Sequence, residues 1–435
     1  MEIRSARERG LLQNRMFLAL WSAQILSMTA ANALTAALII LVAELTKSNS
    51  SSSFLIMLAI IPAILFGLGA GVIVDRVDKR LVLVLTNLAR AAGVSVMLVL
   101  GESVTAAYIV NFVVASVTIF FVPAEAATIP GIVRKRDLLA ANSLFTFTFN
   151  GAFLLGFIIL GPVIIALAGF QALFGAITVM FFAAGLLCLT LPPAEPAKEH
   201  LGVDVAGEAA RRSKRDLGEA ISYLRSAPRI AWSLVYVALT YTLIAMAGAL
   251  APGYVREVLL LPERMVVLLV APSGIGVIVG LGLLNAVSRR IGHANAIGVG
   301  LGICAGALLV LAAARPVAGL VREASGRSGL GEGLPYFIGI VVVTTFVFGI
   351  AYAMITVPSM TLVQEELPDL IRGRVFGVLN VLVSVFSLAP LIIVGPIADI
   401  WGVAPVFIGS SVLVTLVWWA GRDMRRHAGV TAAQV

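Results

Sequence analysis

FLIMLAIIPAILFGLGAGVIVDRVDKR, residues 54–80, decides how this chain is read. Residues 54–74 are a run of 21 without a charged side chain, and five of the six residues that follow are charged. The hydrocarbon core of a bilayer takes about 20 apolar residues of helix to cross, and a charge cluster behind such a run marks the return to water. The pattern recurs along the sequence. It predicts spans at Met16–Leu45, Phe54–Val74, Leu81–Leu100, Val104–Val122, Leu139–Ala168, Phe170–Leu191, Ile230–Leu250, Met265–Val287, Ala294–Ala314, Pro335–Val357, Val375–Ile397 and Val403–Ala420. Composition agrees: of 435 residues, 60% are hydrophobic and 12% charged, and the mean hydropathy is +1.03. A water-soluble domain of this size has too much surface to hide that much apolar area. The predicted class is an all-α membrane protein with twelve transmembrane helices.

Of the 31 Lys and Arg residues, 24 fall in one set of loops, six in the other, and Arg90 alone lies inside a span. The positive-inside rule puts the basic loops and both termini in the cytoplasm, for a multi-pass protein of a bacterial inner membrane. The net charge of +8 is then a topology signal plus attraction to anionic headgroups. No compact basic face interleaved with aromatics is present, which excludes a nucleic-acid partner. The first apolar run is too long for a cleavable signal and is expected to remain as the first helix. Cys188 and Cys304 lie mid-span and read as small core residues. His200, His293 and His427 lie outside the spans, and no phosphate-binding Gly-x-x-x-x-Gly-Lys-Ser/Thr loop occurs. No metal site, cofactor, enzyme activity or ATP-driven pumping is expected.

The chain divides into two six-helix halves, residues 1–191 and 230–435. Residues 192–229 link them, with Pro192, Pro193 and Pro196 ending the sixth span and a short amphipathic helix expected over Asp216–Arg225. The halves echo each other. Gly161-Pro162 recurs as Gly395-Pro396, offset 234, and Pro123 recurs as Pro358, offset 235. The second and eighth spans match near offset 210, so Arg315–Gly333 reads as an inserted outer loop. Parallel repeats of this kind build transporters whose halves rock around a midplane site.

The quoted stretch also carries a candidate device. Gly67 and Gly71 form a Gly-x-x-x-Gly face suited to close helix contact. Asp75 follows, then Arg76, Lys79 and Arg80. An acid there can pair with a base and with the exposed N–H groups of a neighbouring helix, a latch that holds one conformation. A plain positive-inside turn explains Lys79 and Arg80 but not Asp75. The segment resembles the signature of the major facilitator superfamily, with Asp78 where a glycine is usual. The matching segment of the second half, Arg289-Arg290-Ile-Gly292-His293, keeps the bases without the acid. The resemblance implies the major facilitator fold, two pseudo-symmetric six-helix bundles, over the whole chain. Pro123-Ala-Glu125, Arg134-Lys-Arg-Asp137 and Asn142 are similar to the fourth-to-fifth helix loop of the siderophore- and drug-exporter-like (transmembrane secretion effector) subgroup. Arg372-Gly373-Arg374-Val-Phe-Gly377 resembles its tenth-to-eleventh loop, and Asn87-Leu-Ala-Arg90 its third-helix motif, with Asn87 where an aspartate is common.

Arg90 lies about 10 residues into the third span, roughly 13–15 Å from its start. An ionisable group at that depth is a functional candidate. It either pairs with Glu125, at the cytoplasmic end of the fourth span, or snorkels to the surface. Glu44 and Asp399 read as solvated caps at outer helix ends. In the first span, Ser27-Met-Thr-Ala-Ala31-Asn32 resembles a pattern that often has an aspartate where Ala31 stands, so proton antiport is either weak or moved to Glu44, Glu125 or Asp399. Gly156, Gly161 and Pro162 resemble the antiporter motif of the fifth helix, with one extra residue between the glycines. Together with Gly395-Pro396 they are expected to bend their helices. By resemblance the cavity is lined from the first, fourth, seventh and tenth helices. Its candidate residues are Gln24, Asn32, Asn111, Tyr236, Tyr241 and Tyr352, joined by Asn150 and Asn380. These describe a large, sparsely polar pocket. The expected function is a monomeric secondary exporter of amphipathic or hydrophobic small molecules. A lysolipid or lipid-precursor flippase is the alternative, and a membrane enzyme or assembly factor on the same scaffold the third reading.

Overall fold

The computed structural model describes residues 11–193, 218–219, 221–324, 333–367 and 369–422. Among the described residues, twelve helices of at least 16 residues follow one another: α1 Arg15–Thr46, α2 Asn49–Asp75, α3 Lys79–Leu100, α4 Val104–Ile132, α5 Leu138–Phe153, α6 Gly161–Leu189, α7 Pro228–Tyr254, α8 Val267–Ile291, α9 His293–Ala324, α10 Gly333–Glu366, α11 Asp369–Trp401 and α12 Val403–Ala420. π turns at Leu154–Leu160 and Val255–Leu259 continue α5 and α7. Among the described residues no strand occurs. Ten of the helical stretches are long and apolar enough to cross a bilayer; one of them, Lys135–Leu189, has 55 residues. At 1.5 Å per residue that stretch is about 80 Å long, more than twice a membrane core, so it makes two crossings.

Gly169 separates those two crossings, at φ 80° and ψ 177°. Gly402 separates α11 from α12 in nearly the same conformation, φ 79° and ψ 175°. Only a residue without Cβ adopts this region at little cost. The two breaks are 233 residues apart, the offset at which the Gly-Pro pairs recur within a residue. Packing repeats as well. In the first half α3 packs on α4 and α6; six helices on, α9 packs on α10 and α12.

Contacts divide the chain into two compact units. The first holds Met1–Leu45 and Leu58–Lys214; the second holds Thr46–Met57 and Arg215–Val435. The first turns of α2 therefore belong, by what they touch, with α7 and α11. The core of the first unit gathers Phe17, Leu20, Leu83, Phe121, Ala124 and Phe145. In the second unit Tyr223 and Leu224 pack on Ile230, Leu234, Val363 and Leu367. Those two belong to helical residues 221–226, the described part of the expected amphipathic segment. Most of the linker, residues 194–217, lies outside the described residues.

Several boundaries differ from the sequence reading. α4 continues past Val122 to Ile132, through Pro123 and Pro130. Membrane helices tolerate proline because neighbouring groups satisfy the freed carbonyls. The first ten residues of the expected 315–333 outer loop continue α9 to Ala324, and residues 325–332 lie outside the described residues. α2 begins at Asn49, inside a polar Asn-Ser run that hydropathy assigns to a loop.

Candidate functional site

The first unit buries a charged cluster among α1, α3, α4 and α6. Arg90 is 0% exposed, as are Ser27 and Asn87, and Glu125 is 6% exposed. Because α4 runs seven residues past Glu125, the acid sits within the bundle and not at a helix end, which corrects its sequence-based placement. Arg90 Nη1 donates to Ser27 Oγ at 2.7 Å, and the Ser27 hydroxyl donates to Asn87 Oδ1 at 2.9 Å. Asn87 Nδ2 donates to the Leu83 carbonyl at 2.9 Å. The guanidinium carbon lies 4.5 Å from the Phe121 ring centre and 5.6 Å from that of Phe181. Both rings offer their π faces to the cation. Arg90 thus stays in the core and does not snorkel. Its Nε and Nη2 have no hydrogen-bond partner, nor has Glu125 Oε1.

The joint between α1 and the fifth span adjoins this cluster. Gly161 N–H donates to the Gly156 carbonyl, five residues back, closing a π turn. The extra residue between the two glycines is absorbed by this wider turn, so both glycines face α1. A Cβ on Gly156 would stand 2.3 Å from the Thr29 carbonyl oxygen and 2.9 Å from Asn32 Cβ; one on Gly161 would stand 3.0 Å from Ala36 Cβ. The expected proline bend is here a π turn running straight into Gly161-Pro162 at the start of α6. π turns often mark functional segments.

In the second unit, Gly395 approaches the first turn of α2: a Cβ there would meet Ser50 Cα at 2.6 Å. One helical turn on, Asp399 accepts hydrogen bonds from the Asn49 N–H at 2.6 Å, the Ser50 N–H at 3.0 Å and the Ser48 hydroxyl at 2.7 Å. Asp399 is not a cap of its own helix, as read from sequence; it caps the N-terminus of α2, where unpaired N–H groups and the helix dipole favour a carboxylate. Beside it, Lys47 Nζ bonds Glu263 at 2.9 Å, Arg256 bonds Glu257 at 2.9 Å, and Asn49 Nδ2 donates to Glu257 at 3.1 Å. The Glu263 side chain is only 5% exposed and also lies 3.6 Å from Arg256.

The remaining sequence candidates are placed as follows. Among the described residues, a Cβ on Gly67 or Gly71 meets nothing within 4 Å, so that face makes no close contact with a described helix. Asp75 is exposed. Asp78, standing where glycine is usual, caps α3 by accepting from the Arg80 N–H at 2.9 Å. Gln24 donates to the Phe145 carbonyl at 3.2 Å, and Asn32 to the Met28 carbonyl at 2.8 Å. Asn111 and Tyr236 are buried, and Tyr236 packs against Trp232 with ring centres 5.8 Å apart. The Tyr241 and Tyr352 side chains lie close enough to influence each other. Asn150 and Asn380 have side chains outside the described residues. Sequence reading assigned no role to Phe121, Phe181, Asn49, Glu257 or Glu263. Acids at a helix end were visible, but nothing local pairs Lys47 with a residue 216 positions away.

The chain matches the Major Facilitator Superfamily over residues 20–390. It is 22% identical over 376 residues to an uncharacterized MFS-type transporter, YfiS, of Bacillus subtilis (strain 168), covering 86% of this chain and 84% of that one. Among solved structures, the nucleoside transporter NupG superposes with a TM-score of 0.67 at 15% identity, covering 94% of this chain and 98% of its own. An auto-inhibited POT family peptide transporter gives 0.70 at 13%, covering 95% and 97%. A bacterial homologue of the iron transporter ferroportin gives 0.67 at 15%, covering 95% and 99%. At these identities the structures share the fold with this chain and nothing finer. The protein belongs to the major facilitator superfamily: it is a multi-pass membrane transporter and not an enzyme.

Proposed function

We propose that the protein is a secondary exporter of amphipathic or hydrophobic small molecules, working by alternating access as a monomeric antiporter in a bacterial inner membrane. Its two six-helix bundles, joined by residues 192–229, move around a central site, with both termini cytoplasmic. The observation that carries the reading is how the nominated polar side chains are used. The Gln24 and Asn32 amide N–H groups donate to backbone carbonyls, the buried Gln24 Oε1 is left as an unpartnered acceptor, and the Tyr241 and Tyr352 side chains lie near each other. What remains to meet a substrate is mostly apolar surface, which suits a greasy molecule and suits a sugar or nucleoside poorly. The fifth-span glycines against α1, followed by Pro162, and the resemblance to the siderophore- and drug-exporter-like subgroup, point the same way. The latch of Gly67, Gly71, Asp75, Arg76, Lys79 and Arg80 then works in the alternate conformation, since its glycine face is open here.

The test is uptake into proteoliposomes of a cationic dye, a macrolide and a lysolipid, with and without a pH gradient. Movement of dye or macrolide supports the exporter. Movement of the lysolipid alone replaces it with a flippase, and movement of none overturns both.

A further inference from the structure

Sequence alone left Glu125 as one of three acids, with Glu44 and Asp399, to which proton coupling could fall; the open charge pair in the first unit chooses among them. A buried arginine and a buried acid ordinarily close on each other, because each uncompensated charge is expensive in low dielectric. Here they do not. Arg90 turns its Nη1 to Ser27 and its face to Phe121 and Phe181, and leaves Nε and Nη2 unbonded. Glu125 Oε1 is unbonded as well. The two charges act on each other across the gap, and Cys188 of α6 is the other titratable group that faces Glu125. Among the described residues, the uncharged Ser27 of α1 and Asn87 and Arg90 of α3 join the cluster through hydrogen bonds.

The occupant of such a site must be very small. Arg90 has no exposed surface and Glu125 almost none, so no substrate-sized molecule reaches them. A proton needs no volume. Protonation also solves the energetic problem. Adding a proton from bulk water to the Glu125 carboxylate gives a neutral carboxyl, which is far cheaper to bury. The Arg90 cation then keeps its hydroxyl and its two rings and does not need a carboxylate. The arrangement observed, with Arg90 turned to Ser27, is the one expected with Glu125 neutral. When Glu125 releases the proton, the carboxylate competes with Ser27 for the guanidinium. Ser27 precedes Thr29 and Asn32, the α1 residues seated on Gly156. A change in Arg90's partner therefore pulls on α1 where it meets the fifth span.

We propose that Glu125 is the proton-binding site that couples transport to the proton gradient, with Arg90 its positioning countercharge. The site replaces the acid missing at Ala31. This rests on the exporter reading only for what the proton drives.

Two measurements separate the two ideas. Infrared spectra of the full-length protein in nanodiscs, taken across pH without any substrate, are expected to show a buried protonated carboxyl band. Glu125→Gln should remove the band and Glu125→Asp should keep it, which guards against loss through misfolding. Arg90→Met, which removes the charge favouring the carboxylate, should extend the band to higher pH. An identical band in Glu125→Gln overturns the inference and leaves the exporter reading untouched. In proteoliposomes, a gradient of one pH unit supports at most about tenfold accumulation of a dye exchanged for one proton. Ethidium is the probe; its accumulation in Glu125→Gln should collapse to the level reached without a gradient. Full gradient-driven accumulation in Glu125→Gln overturns the inference. A Glu125 band in a wild-type protein that moves no ethidium counts against the exporter reading and not against the site.

Discussion

Gly156→Ala should loosen the joint between α1 and the fifth span. The added Cβ would stand 2.3 Å from the Thr29 carbonyl oxygen and 3.0 Å from the Ala33 nitrogen. Both are backbone atoms of a helix, so neither can rotate away, and the helices must part by about an ångström. Overpacking of this kind costs about 1–3 kcal/mol, and an immovable neighbour puts it at about 3. Alanine is better than glycine in a helix by about 1 kcal/mol, which leaves roughly 2 kcal/mol of net destabilisation. Gly175→Ala is the control: it lies in α6, and its Cβ meets nothing within 4 Å. It gains the helix preference without the clash and should be neutral or slightly stabilised. Thermal unfolding in detergent, read by a thiol-reactive dye at Cys188 and Cys304, both buried, compares the two. A Gly156→Ala protein as stable as Gly175→Ala would refute the close packing and the π-turn account built on it.

Asp399→Ala removes the acceptor of three hydrogen bonds at the start of α2 and should cost about 1–2 kcal/mol, with faster hydrogen exchange at Asn49–Ser52 as the local readout; unchanged exchange there would contradict the capping role. Lys47→Glu should weaken the same corner by stranding the nearly buried Glu263 beside a like charge, and the swap Lys47→Glu with Glu263→Lys should recover most of the loss. A swap no better than the single mutant would show that Arg256, not Lys47, balances Glu263. Asp75→Asn should leave melting unchanged, because Asp75 is exposed here. It should alter cysteine accessibility during transport if the latch forms in the alternate conformation, and wild-type labelling with wild-type flux would reduce Asp75 to a turn residue.

The membrane class and the superfamily were legible in sequence, because the cost of burying charge in lipid writes itself into every run of 20 residues. Gly169 was readable as a break for a similar reason: one residue between two apolar runs has to turn the chain, and glycine alone takes φ near 80° there. Polar and proline-bearing helix ends were not legible. Pro123 and Glu125 look like the end of α4, yet the helix runs to Ile132 because its neighbours supply the burial that sequence cannot show. The same holds for the start of α2, where Asp399, 350 residues away, makes a run of serines into a helical turn.

Sequence by itself determined that this chain crosses a membrane many times and that one arginine, Arg90, falls within a span; that it stays buried there and does not snorkel was decided by the packing. Which groups meet that arginine was decided only by the tertiary structure. Hydropathy is a one-dimensional sum over neighbours in the chain, whereas an ion's stability depends on what encloses it. Ser27, Phe121, Glu125 and Phe181 come from three different helices and reach Arg90 only once those helices pack. The partly unpaired state of Arg90 and Glu125 is a property of that packing, and no pattern of residues along the chain records it.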